Sequence, residues 1–158
     1  MFKTLDEVVA LPEIMYNAVS YAVETITFLS VNDEISSNII IPKNTTEYIT
    51  GSILIKTAPA IYSMELLVPQ DLLEKISADI TVPGTESEMT GSIVIDIAME
   101  LLNTIAGNLM RNIEMLVGPF ILEIPEFEIG KSINKRSFIV KKYIADDNYS
   151  LTIAITKI

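Results

Sequence analysis

The sequence predicts an α+β domain in which two long helices lie on one face of a mixed or antiparallel sheet of about six strands. Three observations carry this. Two long segments show the helical spacing of apolar residues, each is followed by a pair of runs rich in β-branched residues, and Gly, Pro, Asn and Asp fall between these elements. At 158 residues the chain has the size of a single domain, able to bury about two-thirds of its unfolded surface in one core.

Thr4 followed by Glu7 is a capping-box spacing, and Pro12 suits a kink or a fresh first turn, so helix is expected from about Thr4 to Phe28. The stretch "SVNDEISSN" breaks it. Asn38 to Ile41 reads as a short strand stopped by Pro42, and Glu47 to Thr57 as a longer one that pairs with "AIYSMELLVP" across "APA". A short helix from about Gln70 to Ala78 follows, and "TVPGTES" is a midpoint linker. Thr85 with Glu88 offers a second capping box for a helix that runs to about Leu116, where Gly118 and Pro119 end it. "FILEI" and "FEIG" are strand pieces broken at Pro125, and "RSFIVKKYIADDNYSLTIAITKI" is a hairpin with "ADDNY" at its turn. A long helix and then a strand hairpin thus occur twice, as internal repeats of about 1–82 and 83–158 within one domain spanning 1–158.

Composition excludes several chemistries. The chain has neither Cys nor His, which removes disulfides, thiolates, imidazole relays and the usual zinc ligands. No Cys and no N-terminal leader point to the cytoplasm. Every stretch of about 18 residues holds a charge, so no membrane span is expected. With 21 acidic against 11 basic residues the net charge of −10 repels phosphate backbones and anionic lipids, so neither nucleic acid nor membrane is an expected partner. Lys135, Arg136, Lys141 and Lys142 form the densest basic group, placed to protect a strand edge.

The second long helix carries the most informative pattern. At about 100° per residue, Met89, Ser92, Asp96, Glu100, Asn103, Gly107, Arg111 and Glu114 share one narrow face, with Ile93 and Met110 at its margins. Ile95, Ala98, Leu102, Ile105, Leu109, Ile113 and Leu116 line the opposite face, which is expected to lie on the sheet. A solvated helix face is normally filled by strong helix formers. Here its centre holds Asn103 and Gly107, each costing up to about 1 kcal/mol of helix propensity relative to Ala. Close approach by another molecule would account for both: Gly107 clears bulk one turn from Asn103, and Glu100 and Asn103, three residues apart, project side by side. A carboxylate pairs with a cation while an amide positions a water through its donor and acceptor atoms.

"DIAMELLNTIAGNLMRN", with D-x-x-x-E-x-x-N followed by "IAGN", resembles the signature helix of the CheX branch of the CheC/CheX/FliY chemotaxis phosphatases. "TGSILI" at Thr50 to Ile55 and "IPEFEIG" at Ile124 to Gly130 are similar to further segments of that family, and the closing hairpin fits it. The resemblance implies an enzyme that hydrolyses the phospho-aspartate of a CheY-like receiver. It implies that Glu100 pairs with the receiver's active-site Lys, that Asn103 orients the attacking water, and that the receiver supplies Mg²⁺, so the chain needs no cofactor of its own. It also implies a homodimer joined through sheet edges. Two-site members carry E-x-x-N in both repeats. The first helix here offers only Glu13 and Asn17, one residue too far apart, so one active site per chain is expected.

Asp96 fits the extended signature and equally an exposed carboxylate favoured by the helix dipole. Arg111 is a candidate contact for an acidic receiver, with an intrahelical pair to Glu114 as the plainer reading. Two alternative functions stay open at this point. One is a non-catalytic receiver-binding or flagellar-switch-like module; the other is a hot-dog-like thioesterase or acyl-binding domain, which would need Glu100 buried beside a tunnel.

Overall fold

The computed structural model describes residues 1–33, 47–80 and 86–158, and side chains for all of these except 80 and 86–92. The expected strand at Asn38 to Ile41 and the Thr85 cap lie outside the described residues, as does most of the "TVPGTES" linker.

A short 3-10 turn, Leu5–Glu7, opens the chain, and the Glu7 carboxylate accepts the Thr4 backbone N–H at 2.9 Å, the reciprocal half of the capping box. The chain then straightens and restarts as α1, Leu11–Thr27, with Pro12 in the first turn where its missing N–H costs nothing. The single helix expected from Thr4 is therefore two pieces, because Pro12 begins a helix more readily than it continues one. Strand β1, Val31–Asp33, follows. Then come β2, Tyr48–Thr57, and β3, Ile61–Pro69, a hairpin in register from Tyr48 opposite Pro69 to Lys56 opposite Ile61. Helices α2, Gln70–Ile80, and α3, Glu86–Val117, complete the helical layer. Gly118, at φ 83°, closes α3 by donating its N–H to the Glu114 carbonyl at 2.8 Å, a conformation that favours glycine.

Strands β4, Phe120–Leu122, and β5, Glu126–Ile129, both pair antiparallel with β2, on either side of the break at Pro125. Strands β6, Ile139–Ala145, and β7, Tyr149–Lys157, form the second hairpin, with Asp146 and Asp147 at positive φ in its turn. Among the described residues the sheet has seven strands in the order β1-β6-β7-β3-β2-β4, with β5 beside β2, and each described pair is antiparallel. The two hairpins meet at the centre through β3 and β7.

One hydrophobic cluster joins the layers. Tyr62, Met64, Leu66 and Val68 of β3 and Leu151, Ile153 and Ile155 of β7 pack with Met15, Val19 and Val23 of α1, Leu72 and Leu73 of α2, and the buried side of α3. By length and composition Ile93–Val117 would suffice to cross a bilayer. Most of its apolar side chains lie within the domain core, while Met115 and Leu116 are exposed.

The opposite sheet face is crossed by a strap, residues 130–138. Thr50 donates its hydroxyl to the Lys131 carbonyl at 2.6 Å, the Asn134 N–H reaches the Glu65 carboxylate at 3.2 Å, and the Ser137 and Thr156 hydroxyls meet at 3.0 Å.

Candidate functional site

Helix α3 packs against α1, α2 and the sheet. Being enclosed on several sides, it buries a broader arc than a single sheet contact requires. Val94, Ile97, Ala98, Leu101, Leu102, Ile105, Ala106, Leu109, Met110, Ile113 and Val117 are all buried. Of the side expected to lie on the sheet, Ala98, Leu102, Ile105, Leu109 and Ile113 are in the core; Ile95 is half-buried and Leu116 exposed. Met110, expected at the margin of the polar stripe, is fully buried.

Most of the stripe is left to solvent, and near the C-terminal end Asn112, Met115 and Leu116 are exposed as well. Asp96, Glu100, Asn103, Arg111 and Glu114 are exposed, on a helix fixed from behind by the core. Thr104 donates its hydroxyl toward the Glu100 carboxylate at 3.4 Å, a weak contact one turn away that biases the carboxylate along the helix. This partner was not singled out in the sequence, although its i+4 spacing from Glu100 signals it. Asn103 and Glu100 occupy adjacent turns of one rigid element, and their polar groups are presented outward for a partner to meet.

Gly107 shares the stripe but is buried. The space its missing side chain leaves is taken by the guanidinium of Arg111, whose Nη1 stands 3.2 Å from where a Cβ would be. The expected ion pair between Arg111 and Glu114 does not form; the described salt bridges are Lys56 with Glu123, Lys75 with Asp146, and Lys157 with Asp6. Met89 and Ser92, the first members of the stripe, lie among side chains not described.

Glu13 and Asn17, the nearest counterpart in the first helix, are also exposed, but α1 begins only two residues before Glu13. Glu13 lines a cleft with Pro12, Tyr16 and Asp33, in a setting unlike the mid-helix position of Glu100 and Asn103. The exposure of Glu100 also removes the hot-dog reading, since a base beside an acyl tunnel would have to point into the domain.

No family model and no curated protein sequence matches the chain. Solved structures do. CheX from Vibrio vulnificus superposes with a TM-score of 0.70 at 16% identity, over 97% of this chain and 99% of that one. The chain has the CheX fold. A second structure with this fold is CheX of Borrelia burgdorferi, solved in a complex with CheY, BeF3 and Mg²⁺, at TM-score 0.66 and 16% identity over 92% of this chain and 97% of that one. The middle domain of FliM from Vibrio alginolyticus is a more distant likeness, at TM-score 0.55 and 11% identity over 93% and 90%. The CheX fold thus accounts for nearly the whole of this chain.

Proposed function

We propose that the chain dephosphorylates the phospho-aspartate of a CheY-like response regulator, with one active site per chain on the exposed face of α3. The observation that carries this is the outward presentation of Glu100 and Asn103 on a helix whose opposite side is core. A CheX of the same fold has been solved with CheY, BeF3 and Mg²⁺, which supports a receiver as the partner.

Phosphoryl transfer asks little covalent chemistry of the protein; positioning the nucleophile and neutralising the transferred group carry most of the effect. The Glu100 carboxylate pairs with the receiver's active-site Lys and fixes the docking geometry. The Asn103 amide holds a water by accepting from it and donating to it, aligned with the acyl phosphate. The bond from phosphorus to the receiver's Asp oxygen breaks as the bond to the water oxygen forms; aspartate leaves as a carboxylate, and the water's proton ends on inorganic phosphate. Mg²⁺ belongs to the receiver and offsets the charge of the phosphoryl oxygens. No residue of this chain has to change its protonation state.

Asp96 and Arg111, on the same exposed face, flank the pair as contacts for the receiver, and Gly107 keeps the backbone free of a side chain of its own one turn beyond Asn103. The protein acts in the cytoplasm, where its receiver is, and forms a homodimer through a sheet edge.

The test is the lifetime of phosphate on a CheY-like receiver from the same cell, loaded with acetyl phosphate and Mg²⁺, alone, with the protein, and with its Asn103→Ala variant. Shortening by the wild type but not by the variant is expected. The likeness to a FliM middle domain favours one other reading, a receiver-binding module without catalysis. An unchanged lifetime together with measurable receiver binding would establish that reading instead.

A further inference from the structure

The sheet face turned away from the helices contains a polar cavity of 310 Å³ between the central strands and the strap. At its floor is Glu65, 4% exposed and the only charged residue of β3. Its Oε1 accepts one hydrogen bond, from the Asn134 backbone N–H. An ionised carboxylate offers about four acceptor positions, and a buried charge without a paired cation is costly to the fold. No salt bridge to Glu65 forms among the described residues, although the exposed Lys131 lines the same cavity.

The residues around Glu65 account for the hollow. Its direct cross-strand neighbours are Ser52 on β2 and Ala154 on β7, and Ser63 lies two positions along its own strand opposite Thr156. These small side chains surround the carboxylate with hydroxyls rather than filling the space above it. The strap roofs the cavity and is pinned at both ends, through Thr50 to the Lys131 carbonyl and through Thr156 to Ser137. The volume lies at the small end of ligand sites, suited to a molecule of amino-acid size.

We propose that this cavity binds a small zwitterion of the amino-acid class, its ammonium group on the Glu65 carboxylate, its anionic end toward Lys131, and the hydroxyls of Ser52, Ser63 and Thr156 completing the polar contacts. The site lies on the face of the sheet opposite the helical layer that carries Asn103, and it does not depend on the phosphatase reading.

The experiment follows the backbone amides of the full chain by NMR while single amino acids and methylammonium chloride are titrated in, with sodium and magnesium chloride as controls. The Asn134 amide, bonded directly to Glu65, is the reporter. Saturable shifts of Asn134 and Ser132 with at least one amino acid are expected, and Glu65→Gln weakens that binding by about tenfold or more, the effect of one charge-assisted hydrogen bond. Lys131→Met, at an exposed position that leaves the fold intact, weakens the amino acid to a similar degree while leaving methylammonium unchanged. The proposal is overturned if no amino acid shifts Asn134, if the simple salts reproduce the shift, if Glu65→Gln binds as the wild type does, or if Lys131→Met leaves amino-acid affinity unaltered. Should Glu65→Gln not fold, the Lys131→Met comparison decides alone.

Discussion

Arg111 covers Gly107: its guanidinium occupies the space that a side chain at 107 would fill, with Nη1 3.2 Å from the position of the absent Cβ. The obstacle to a Cβ is the far end of a flexible, exposed side chain, which yields easily. Gly107→Ala therefore gains helix propensity of about 0.8–1 kcal/mol at the cost of displacing a mobile guanidinium. The expected outcome in thermal unfolding is a rise of about 2–3 °C. A fall would show that the packing of Arg111 over the helix backbone contributes more than backbone propensity.

Asn103→Ala separates activity from folding. Asn103 is exposed in mid-helix, and Ala is the better helix former by about 0.5–0.7 kcal/mol, so the variant should be at least as stable as the wild type. On the proposed function, in which this amide positions the attacking water, its loss should cost about 100-fold or more in the rate of receiver dephosphorylation. Measured together, an unchanged or raised melting temperature and a lost rate are expected. Full activity in a folded variant would remove Asn103 from the mechanism.

Tyr143 is fully buried, its hydroxyl has no hydrogen-bond partner among the described residues, and burial, with the charge of Asp33 as a lesser cause, pushes its ionisation far above the ordinary value. Tyr62 is shifted in the same direction by burial, opposed by the Leu5 N–H that its oxygen accepts at 2.9 Å. Above the ordinary tyrosine value of about 10 the unfolded chain loses these protons while the native state keeps them. Native protein then binds more protons than unfolded, so stability is intact below that pH and falls as pH rises beyond it. Tyr143→Phe should raise stability at neutral pH by on the order of 1 kcal/mol, by removing an unsatisfied hydroxyl, and should flatten the alkaline decline. Urea midpoints measured on both sides of pH 10 would test both effects.

Gly51 faces Phe127 across the β2–β5 pair, and a Cβ on Gly51 would overlap the ring edge at its Cε1. Gly51→Ala must displace that ring from the core margin, at a cost of about 1–3 kcal/mol. Phe127→Leu in the same chain relieves the overlap and should recover part of the loss. A double-mutant cycle in urea reads the coupling; strict additivity would mean that the ring moves freely.

Much of this was legible in the sequence because it depends on periodicity. Helix α3, both hairpins and the polar stripe follow from spacing alone, and Glu100 and Asn103 are exposed as their helix positions require. Strand β1 was not legible. Asn32 and Asp33 disfavour a strand and, with the flanking residues, read as a helix breaker; the segment is extended because Ala145, Ile144 and Tyr143 pair with it. The same pairing explains the basic residues of β6: β1 covers only its last three positions, and among the described residues Lys141 and Lys142 lie on the part of β6 left at the sheet margin. Met110 and Leu116 exchanged their expected environments because the helix is enclosed by α1 and α2 as well as the sheet, and a helical wheel does not know how many neighbours surround it. Glu65 showed one signal in the sequence, a lone acid amid the apolar residues of β3, but its burial comes from a strap more than 60 positions away that periodicity does not place.

Helix α3 divides its labour by side: the buried arc holds the domain together, and the exposed stripe contributes almost nothing to that task. Substitutions at Glu100 or Asn103 therefore meet little resistance from folding, and on the proposed function they are filtered by activity alone. A lineage with such a helix can discard its chemistry and keep a stable docking body, or regain the chemistry through two surface changes without rebuilding a core. Related chains can thus diverge between catalysis and plain adhesion while their backbones stay superimposable.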